Sequence, residues 1–411
     1  MRRGHDMTEN AGDWLTADEA ADRLNVKKET VYAYVSRGRL TSRKAAGGRG
    51  SLFRLADVDR LSAKVRRGKE NQQDPVESEI TLVTQEALFY RNQRASDLAE
   101  SATFEDVARL LWGFDPPSPP WVSAQATERF CRRVVKTLPA SALPVDQVKV
   151  IAACIAAVEP PSWDTTPDVV ATTAQRTLAT MLTALPAKSE PVETAALPAP
   201  ASPMVALLWS RLCDRQPRDA ELKLLNSAMV MLADHDLAAA TYVIRTAARA
   251  GVEPGGLLRL GIDVGSGPVK GSASLAIESL LHNMKSAATV EESLGMRLRQ
   301  GGSIPGFGHH VYPAGDIRAS YILERLREVG PQADRLATVE SVIKTQEWRG
   351  LPAPNAGFAL AALTYVLGMA PGSGETIFVI SRAAGWVAHA IEAYGTGPME
   401  RMHSVNVHSG D

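Results

Sequence analysis

Nine lysines and arginines, against a single acid, Glu29, lie between Arg23 and Arg54. Positive charge at that density suits a polyanion, and the phosphate backbone of a nucleic acid is the partner it points to. The rest of the chain does not share the bias. With 45 Lys plus Arg against 46 Asp plus Glu, the 411 residues carry a formal charge of −1, which as a whole-chain figure favours neither nucleic acid nor membrane. Cys131, Cys154 and Cys213 are odd in number and fit no zinc or redox spacing, so they read as small buried apolar side chains rather than a disulfide framework. His309 and His310 are adjacent, but neighbouring side chains are expected to diverge and no carboxylate or cysteine joins them at ligand spacing, so no metal site is expected.

Charged side chains recognise a partner only when a rigid support presents them, and the sequence from Trp14 onward supplies one. Thr16 followed three residues later by Glu19 is a capping-box spacing, and Ala17, Ala20, Ala21 and Leu24 share one face of the helix it starts. A turn at Asn25-Val26 leads to a second helix over Lys28–Ser36, with Val31 and Val35 inward and Gly38 as its stop. Two short helices across a tight turn make a helix-turn-helix. Beyond Leu40, short extended pieces flank the glycine-rich tip at 45–50 and read as a hairpin wing, with a last small helix near Asp57. The segment "LTADEAADRLNVKKETVYAYVSRGRL" with this basic wing resembles the excisionase and MerR-like helix-turn-helix family. The resemblance implies that the second helix enters a major groove. Lys27, Lys28, Thr30, Tyr32 and Tyr34 would then face bases or phosphates, and Arg43, Lys44, Arg49 and Arg54 would follow the backbone. Such modules also dock proteins, in which case the basic residues form a solvated face. Specific binding of duplex DNA would need two copies, hence a dimer.

The chain is longer than one core usually absorbs. Residues 1–13 are polar and aperiodic and are expected to be disordered; 14–62 form the module; 63–78 read as a solvated linker; and 79–411 form a second domain. With 45% hydrophobic and 22% charged residues, the composition is that of a soluble globular protein. No segment has the apolar length of a membrane span, and a cytoplasmic protein is expected. In the second domain a short β-rich segment over 80–90 precedes helices over 104–112, 127–137, 145–157, 170–185, 222–250 and 271–286. The proline-rich stretch 185–203 separates two of them as a loop. The fold class is mainly α, a large all-α unit behind a small winged helix-turn-helix.

Four blocks of that second domain carry a further resemblance. They are "ITLVTQEALFYRNQRASDLAESATFEDVARLLWG", "LNSAMVMLADHDLAAATYVIR", "GGSIPGFGHHVYPAGDIRASYIL" and "PNAGFALAALTYVLGMAPGSGETIFVISRAAGWVAHAIE". In content and order they resemble the citrate synthase family, all-α two-domain dimers that join the acetyl group of acetyl-CoA to oxaloacetate. That reaction needs a carboxylate to remove a methyl proton and a donor to stabilise the enolate oxygen. In the family a histidine within GPxHGxAN is the donor; the matching run here is Gly267-Pro268-Val269-Lys270-Gly271-Ser272-Ala273-Ser274, with Lys270 at the histidine. The family's base is the aspartate of PNVD; the matching run is Pro354-Asn355-Ala356-Gly357, with Gly357 at the aspartate.

The resemblance leaves the dianion-binding half intact, with His235, His309, Arg318 and Arg382 matching oxaloacetate ligands and Arg401 matching an arginine that reaches the partner subunit. It also places Ile304, Pro305, Gly306, Phe307 and Gly308 around the adenine of an acyl-CoA, a co-substrate or ligand rather than a tightly held cofactor. General-base catalysis typically contributes about 3 to 5 kcal/mol, and a glycine supplies none of it. Glu375 or Asp263 would have to enter from an unexpected direction to replace it. The expectation is a homodimer that binds an oxaloacetate-like dicarboxylate and couples it to DNA. Two alternatives stand beside it: a divergent citrate or 2-methylcitrate synthase, and a non-catalytic subunit associated with an intact paralogue.

Overall fold

Thr16 and Glu19 start the first helix as their spacing predicts. The Glu19 carboxylate accepts the Thr16 N–H at 2.8 Å and its hydroxyl at 2.9 Å, while the Thr16 hydroxyl oxygen accepts the Glu19 N–H at 3.3 Å. The structure is a computed structural model that describes residues 14–24, 26–36, 40–44, 50–55, 57–58, 78–115, 117–193, 197–266, 272–284, 287–299, 304–330 and 332–398. It divides into two units, Met1–Glu77 and Ser78–Asp411. The expected disordered start, the wing tip and nearly all of the linker lie outside the described residues.

In the first unit, α1 (Ala17–Leu24) and α2 (Lys28–Ser36) bury Ala20, Ala21, Leu24 and Val31 against Leu40, Phe53 and Val58. The wing is β2 (Ser42–Lys44) paired antiparallel with β3 (Ser51–Arg54), and β1 (Trp14–Leu15) adds on the other edge of β3, with Leu15 opposite Phe53. The wing strands follow the sequence reading. The two residues of β1 are too few to show a period, and only pairing with β3 makes them a strand.

The second unit opens with an antiparallel meander, β4 (Thr81–Val83), β5 (Leu88–Tyr90) and β6 (Gln93–Arg94). Helices follow: α3 (Ala95–Ser101), α4 (Phe104–Leu111), α5 (Gln125–Val135), α6 (Pro144–Val158), α7 (Pro167–Ala184) and α8 (Pro203–Leu212). Between α7 and α8 the described residues hold no helix. Ser202 then caps α8 by accepting the Val205 N–H, and Pro203 takes the first helical position, where a missing N–H costs nothing.

The single helix expected over 222–250 is in fact two, α9 (Asp219–Leu232) and α10 (Ala239–Arg249). The apolar rhythm runs through the break, but the Asp234 carboxylate accepts the Asp236 N–H at 2.9 Å and Asp236 adopts φ 52°. A short acidic side chain that bonds its own backbone offers that backbone an alternative to the helical ladder.

The remaining helices are α11 (Pro254–Gly265), α12 (Ser272–Asn283), α13 (Val290–Arg299), α14 (Ile317–Val329), α15 (Ala333–Trp348), α16 (Ala356–Leu367) and α17 (Ser373–Gly395). Two of them organise the rest. Apart from Gly357 every residue of α16 is buried, and the helix packs on α12 and α14; α17 packs on α9, α10 and α11. A helix apolar all round belongs in the middle of a core. The Asn355 side chain caps α16, accepting the Gly357 N–H at 3.0 Å and the Phe358 N–H at 3.3 Å, which fixes Gly357 in its first turn.

Candidate active site

A cavity of about 370 Å³ lies among the α9–α10 break, the 304–316 segment, α12, α14, α16 and α17. His235, His309, Arg318, Arg382, Gly308 and Gly357, drawn together from across 150 residues of sequence, all line it. The two arginines are held differently. Arg318 is buried in the first turn of α14 and grips Asp316, the residue that caps that helix, through Nε at 3.0 Å and a terminal nitrogen at 2.8 Å. Asp316 also accepts the Ala356 N–H at 3.0 Å, tying the starts of α14 and α16 together. Burial opposes both charges, yet the pair outweighs it: Asp316 is held below the usual carboxylate range and Arg318 above its ordinary value. Arg382, buried on α17, donates from Nε to the Leu232 carbonyl at 2.8 Å and has no ion-pair partner among the described residues. Burial pushes its pKa down. A buried guanidinium of this kind gains most from an arriving carboxylate.

His235 projects from the α9–α10 break and shares a 2.9 Å hydrogen bond between Nε2 and the Tyr312 hydroxyl. Burial, followed by Arg318 and Arg382, pushes its pKa down to about 2, so it is a neutral imidazole at any working pH. His309 stands edge-on to it, with ring centroids 5.4 Å apart, and accepts the Val311 N–H on Nδ1 at 3.2 Å. That bond leaves the proton of the neutral His309 ring on Nε2. Contrary to the expectation that neighbouring side chains diverge, His310 stacks on His309 with centroids 4.8 Å apart and also lines the cavity.

The loop expected around an acyl-CoA is locked to the start of α16. Phe307 bridges Pro354; the Asn355 N–H donates to the Gly306 carbonyl at 2.9 Å; and the Asn355 amide donates to the Gly308 carbonyl at 3.0 Å. The Phe307 ring packs on Phe358 at 4.8 Å, and Ile304 and Pro305 are half-buried beside it. Gly306 has φ 89°, and a Cβ there would lie 2.5 Å from the Ile277 side chain.

The residues expected at the base and enolate-donor positions contribute less to the cavity. Gly357 lines the cavity from the first turn of α16 with no side chain, and Asp316, already committed to Arg318, is the one carboxylate among the described lining residues. Asp263 is exposed on α11, and Glu375, its carboxyl pushed up to about 7 by burial, does not line the cavity. Lys270 and Arg401 lie outside the described residues. Tyr312 and Asn355 shape the site and were quoted in motifs without a role; the tyrosine three residues after His309 is the signal that could have found the first.

In the first unit, Lys27, Lys44 and Arg54 are exposed. Lys28 pairs with Asp18 at 2.6 Å, and Arg43 stacks 4.1 Å over the Trp14 ring. Tyr32 is 46% exposed with its edge on Phe53, whereas Tyr34 is half-buried against the module core and Thr30 is half-buried. Arg49 lies outside the described residues.

The family model described as the citrate synthase C-terminal domain matches residues 72–403, and one described as a helix-turn-helix domain matches residues 14–64. The chain is 24% identical to a 2-methylcitrate synthase of Shewanella oneidensis over 376 residues, covering 82% of this chain and 92% of that one. It is 27% identical to the 2-methylcitrate synthase of Mycobacterium tuberculosis over 322 residues, covering 74% and 81%. With citrate synthase 2 of Bacillus subtilis it shares 28% over 192 residues, 45% of this chain and 51% of that protein. Among solved structures it resembles citrate synthase from Thermotoga maritima, at TM-score 0.64 and 22% identity over 83% of this chain and 95% of that one. It resembles equally a ternary complex of carboxymethyl coenzyme A and oxaloacetate with citrate synthase from Thermoplasma acidophilum, at TM-score 0.66 and 21% identity over the same shares.

Proposed function

The chain belongs to the citrate synthase family, and on that premise we propose that it binds an oxaloacetate-like dicarboxylate without condensing it and reports occupancy to DNA through its helix-turn-helix module. The observation that carries the reading is Gly357, which lines the cavity where the family resemblance puts the base, with no uncommitted carboxylate beside it among the described residues. Arg318 and Arg382 are suited to the two carboxylates, the neutral His235 and, beside it, His309 to a ketone oxygen, and the 304–308 loop to an acyl-CoA. Lys270, at the position of the family's enolate-stabilising histidine, adds positive charge by sequence, which favours an anion more than it favours removal of a carbon-bound proton.

The intact anion-binding half also favours a second reading, a divergent acyltransferase acting on oxaloacetate and acetyl- or propionyl-CoA. The two separate cleanly: calorimetry with oxaloacetate reports binding, and release of free CoA thiol reports condensation. A third reading, a non-catalytic subunit lending Arg401 to an intact paralogue, predicts association with that paralogue rather than with itself. No helix among the described residues is long and apolar enough to cross a membrane, and a cytoplasmic location is part of the proposed DNA-binding reading.

Paired DNA half-sites and a site shared between subunits both require two copies. Sedimentation at micromolar concentration is expected to give about twice the 44.1 kDa chain mass; a single species at the chain mass would refute the homodimer.

Residues 12–65 alone are expected to bind duplex DNA with a steep salt dependence, because Lys27, Lys44 and Arg54 stand exposed. Raising salt from about 50 to 200 mM should weaken binding at least about tenfold. Undetectable binding at both concentrations would instead favour protein docking by the module.

A further inference from the structure

Two of the side chains that line the cavity, Arg382 and His235, hang on the same five residues, 232–236, at the end of α9. Arg382 is held by the Leu232 carbonyl at 2.8 Å, and His235 is aimed by the turn in which Asp234 accepts the Asp236 N–H at 2.9 Å. α17 presses directly on this turn. The Gly385 N–H donates to the Ala233 carbonyl, and a Cβ on Gly385 would sit 2.1 Å from the Asp234 carboxylate. Asp234 itself is fully buried, and burial would raise its pKa were it not for His389 and then Arg382, which hold it well below the usual carboxylate range. His389 lies 3.3 Å from that carboxylate; its other ring nitrogen is 3.2 Å from Arg245, and Arg245 pairs with Glu392.

The far end of this chain of contacts reaches the residues that first enter the second unit from the linker side of the sequence. Glu392 accepts the Glu79 N–H at 3.2 Å. Farther along the meander, the buried Tyr90 hydroxyl lies against the end of α9, 3.0 Å from the Val230 carbonyl and 3.3 Å from the Asp234 carbonyl. Residues 79–90 therefore meet this chain of contacts twice, at Tyr90, buried beside Asp234, and at the exposed Glu79 amide on Glu392. Asp234, His389 and Arg245 are buried, where a contact between polar groups is costly to break.

We propose that Asp234 is the positioning residue for His235 and Arg382, and that the chain Asp234–His389–Arg245–Glu392 couples occupancy of the cavity to residues 79–81. The proposal rests on the dicarboxylate reading of the cavity and carries occupancy as far as the first residues of the second unit. Ligand carboxylates drawing on Arg382 tighten the turn beneath it, and the tightening is passed along α17 to Glu392 and the Glu79 amide.

The test is hydrogen exchange on the full chain with and without saturating oxaloacetate, alongside calorimetric titration. Oxaloacetate should slow exchange at least about fivefold in peptides covering 79–90 as well as in those covering 232–238. Glu392→Ala, far from the cavity, should bind oxaloacetate within about threefold of wild type, lose the protection at 79–81 and keep it at 232–238. Glu392→Gln, which retains an acceptor, should restore it. Asp234→Ala should weaken binding at least about tenfold, with Asp234→Asn recovering part because it keeps an acceptor for the Asp236 N–H. If Asp234→Ala does not fold, the Glu392 pair decides. Protection confined to 232–238 in the wild type, or unchanged at 79–81 in Glu392→Ala, would overturn the coupling, and a folded Asp234→Ala with unaltered affinity would overturn the positioning role. No heat with oxaloacetate at millimolar concentration would instead remove the dicarboxylate reading, and this inference with it.

Discussion

Replacing Arg318 by Ala is expected to weaken oxaloacetate binding by roughly 2 to 5 kcal/mol, the usual cost of truncating one partner of a desolvated charge pair. The size follows from its surroundings. Arg318 is buried, its Asp316 partner is buried with it, and the same carboxylate anchors the Ala356 N–H. Removing the guanidinium therefore withdraws a cation from the ligand and leaves a buried carboxylate facing the cavity. Arg318→Lys should lie between, because an ammonium keeps the charge but not the two-pronged grip on Asp316. Titration calorimetry gives the loss directly, and a parallel thermal melt separates it from simple destabilisation. An Arg318→Ala protein that stays folded and binds oxaloacetate as tightly as the wild type would remove this arginine from the site.

The double change Gly357→Asp with Lys270→His is expected to raise condensation turnover by about 100-fold or more over the wild type, within the range a positioned base supplies. The backbone tolerates the aspartate. Gly357 lies in the first turn of α16 behind the Asn355 cap, where a carboxylate is favoured by the helix dipole. Each single change should give much less, because groups that act on one transition state are strongly non-additive. Release of CoA thiol from acetyl-CoA and propionyl-CoA in the presence of oxaloacetate measures all four proteins. Equal rates in wild type and double variant would show that Gly357 does not occupy the position of a base.

Much of this site was legible because its residues sit in short, closely spaced runs. The Gly306 to His309 run, the Asp316 and Arg318 pair and the Arg382 run each lie within a few residues of sequence, where type and spacing can be read together, and the structure brings Gly308, His309, Asp316, Arg318 and Arg382 to one cavity. The α9–α10 break was not legible. Its apolar rhythm continues through 233–238 with neither proline nor glycine, and the only signal is two aspartates, the first of which bonds backbone through its side chain. Nor was the network behind it, since Asp234, His389 and Glu392 each look unremarkable where they stand and gain meaning from meeting across 155 residues of chain. Tyr34 shows the converse limit. The resemblance turns it toward DNA with Lys27 and Lys28, whereas the structure half-buries it against the module core. Sequence pattern gives the face of a helix, and the neighbours that fill that face are a tertiary fact.

On the proposed reading, binding and turnover have separated in this chain. One experiment tests it most directly: wild-type protein at a concentration where calorimetry shows saturable oxaloacetate binding, assayed in the same buffer for condensation with acetyl-CoA and propionyl-CoA. Saturable binding with turnover near background is the predicted result. A turnover of about 1 per second or more, within the ordinary enzyme range, would contradict it and show that a base other than Gly357 takes the proton.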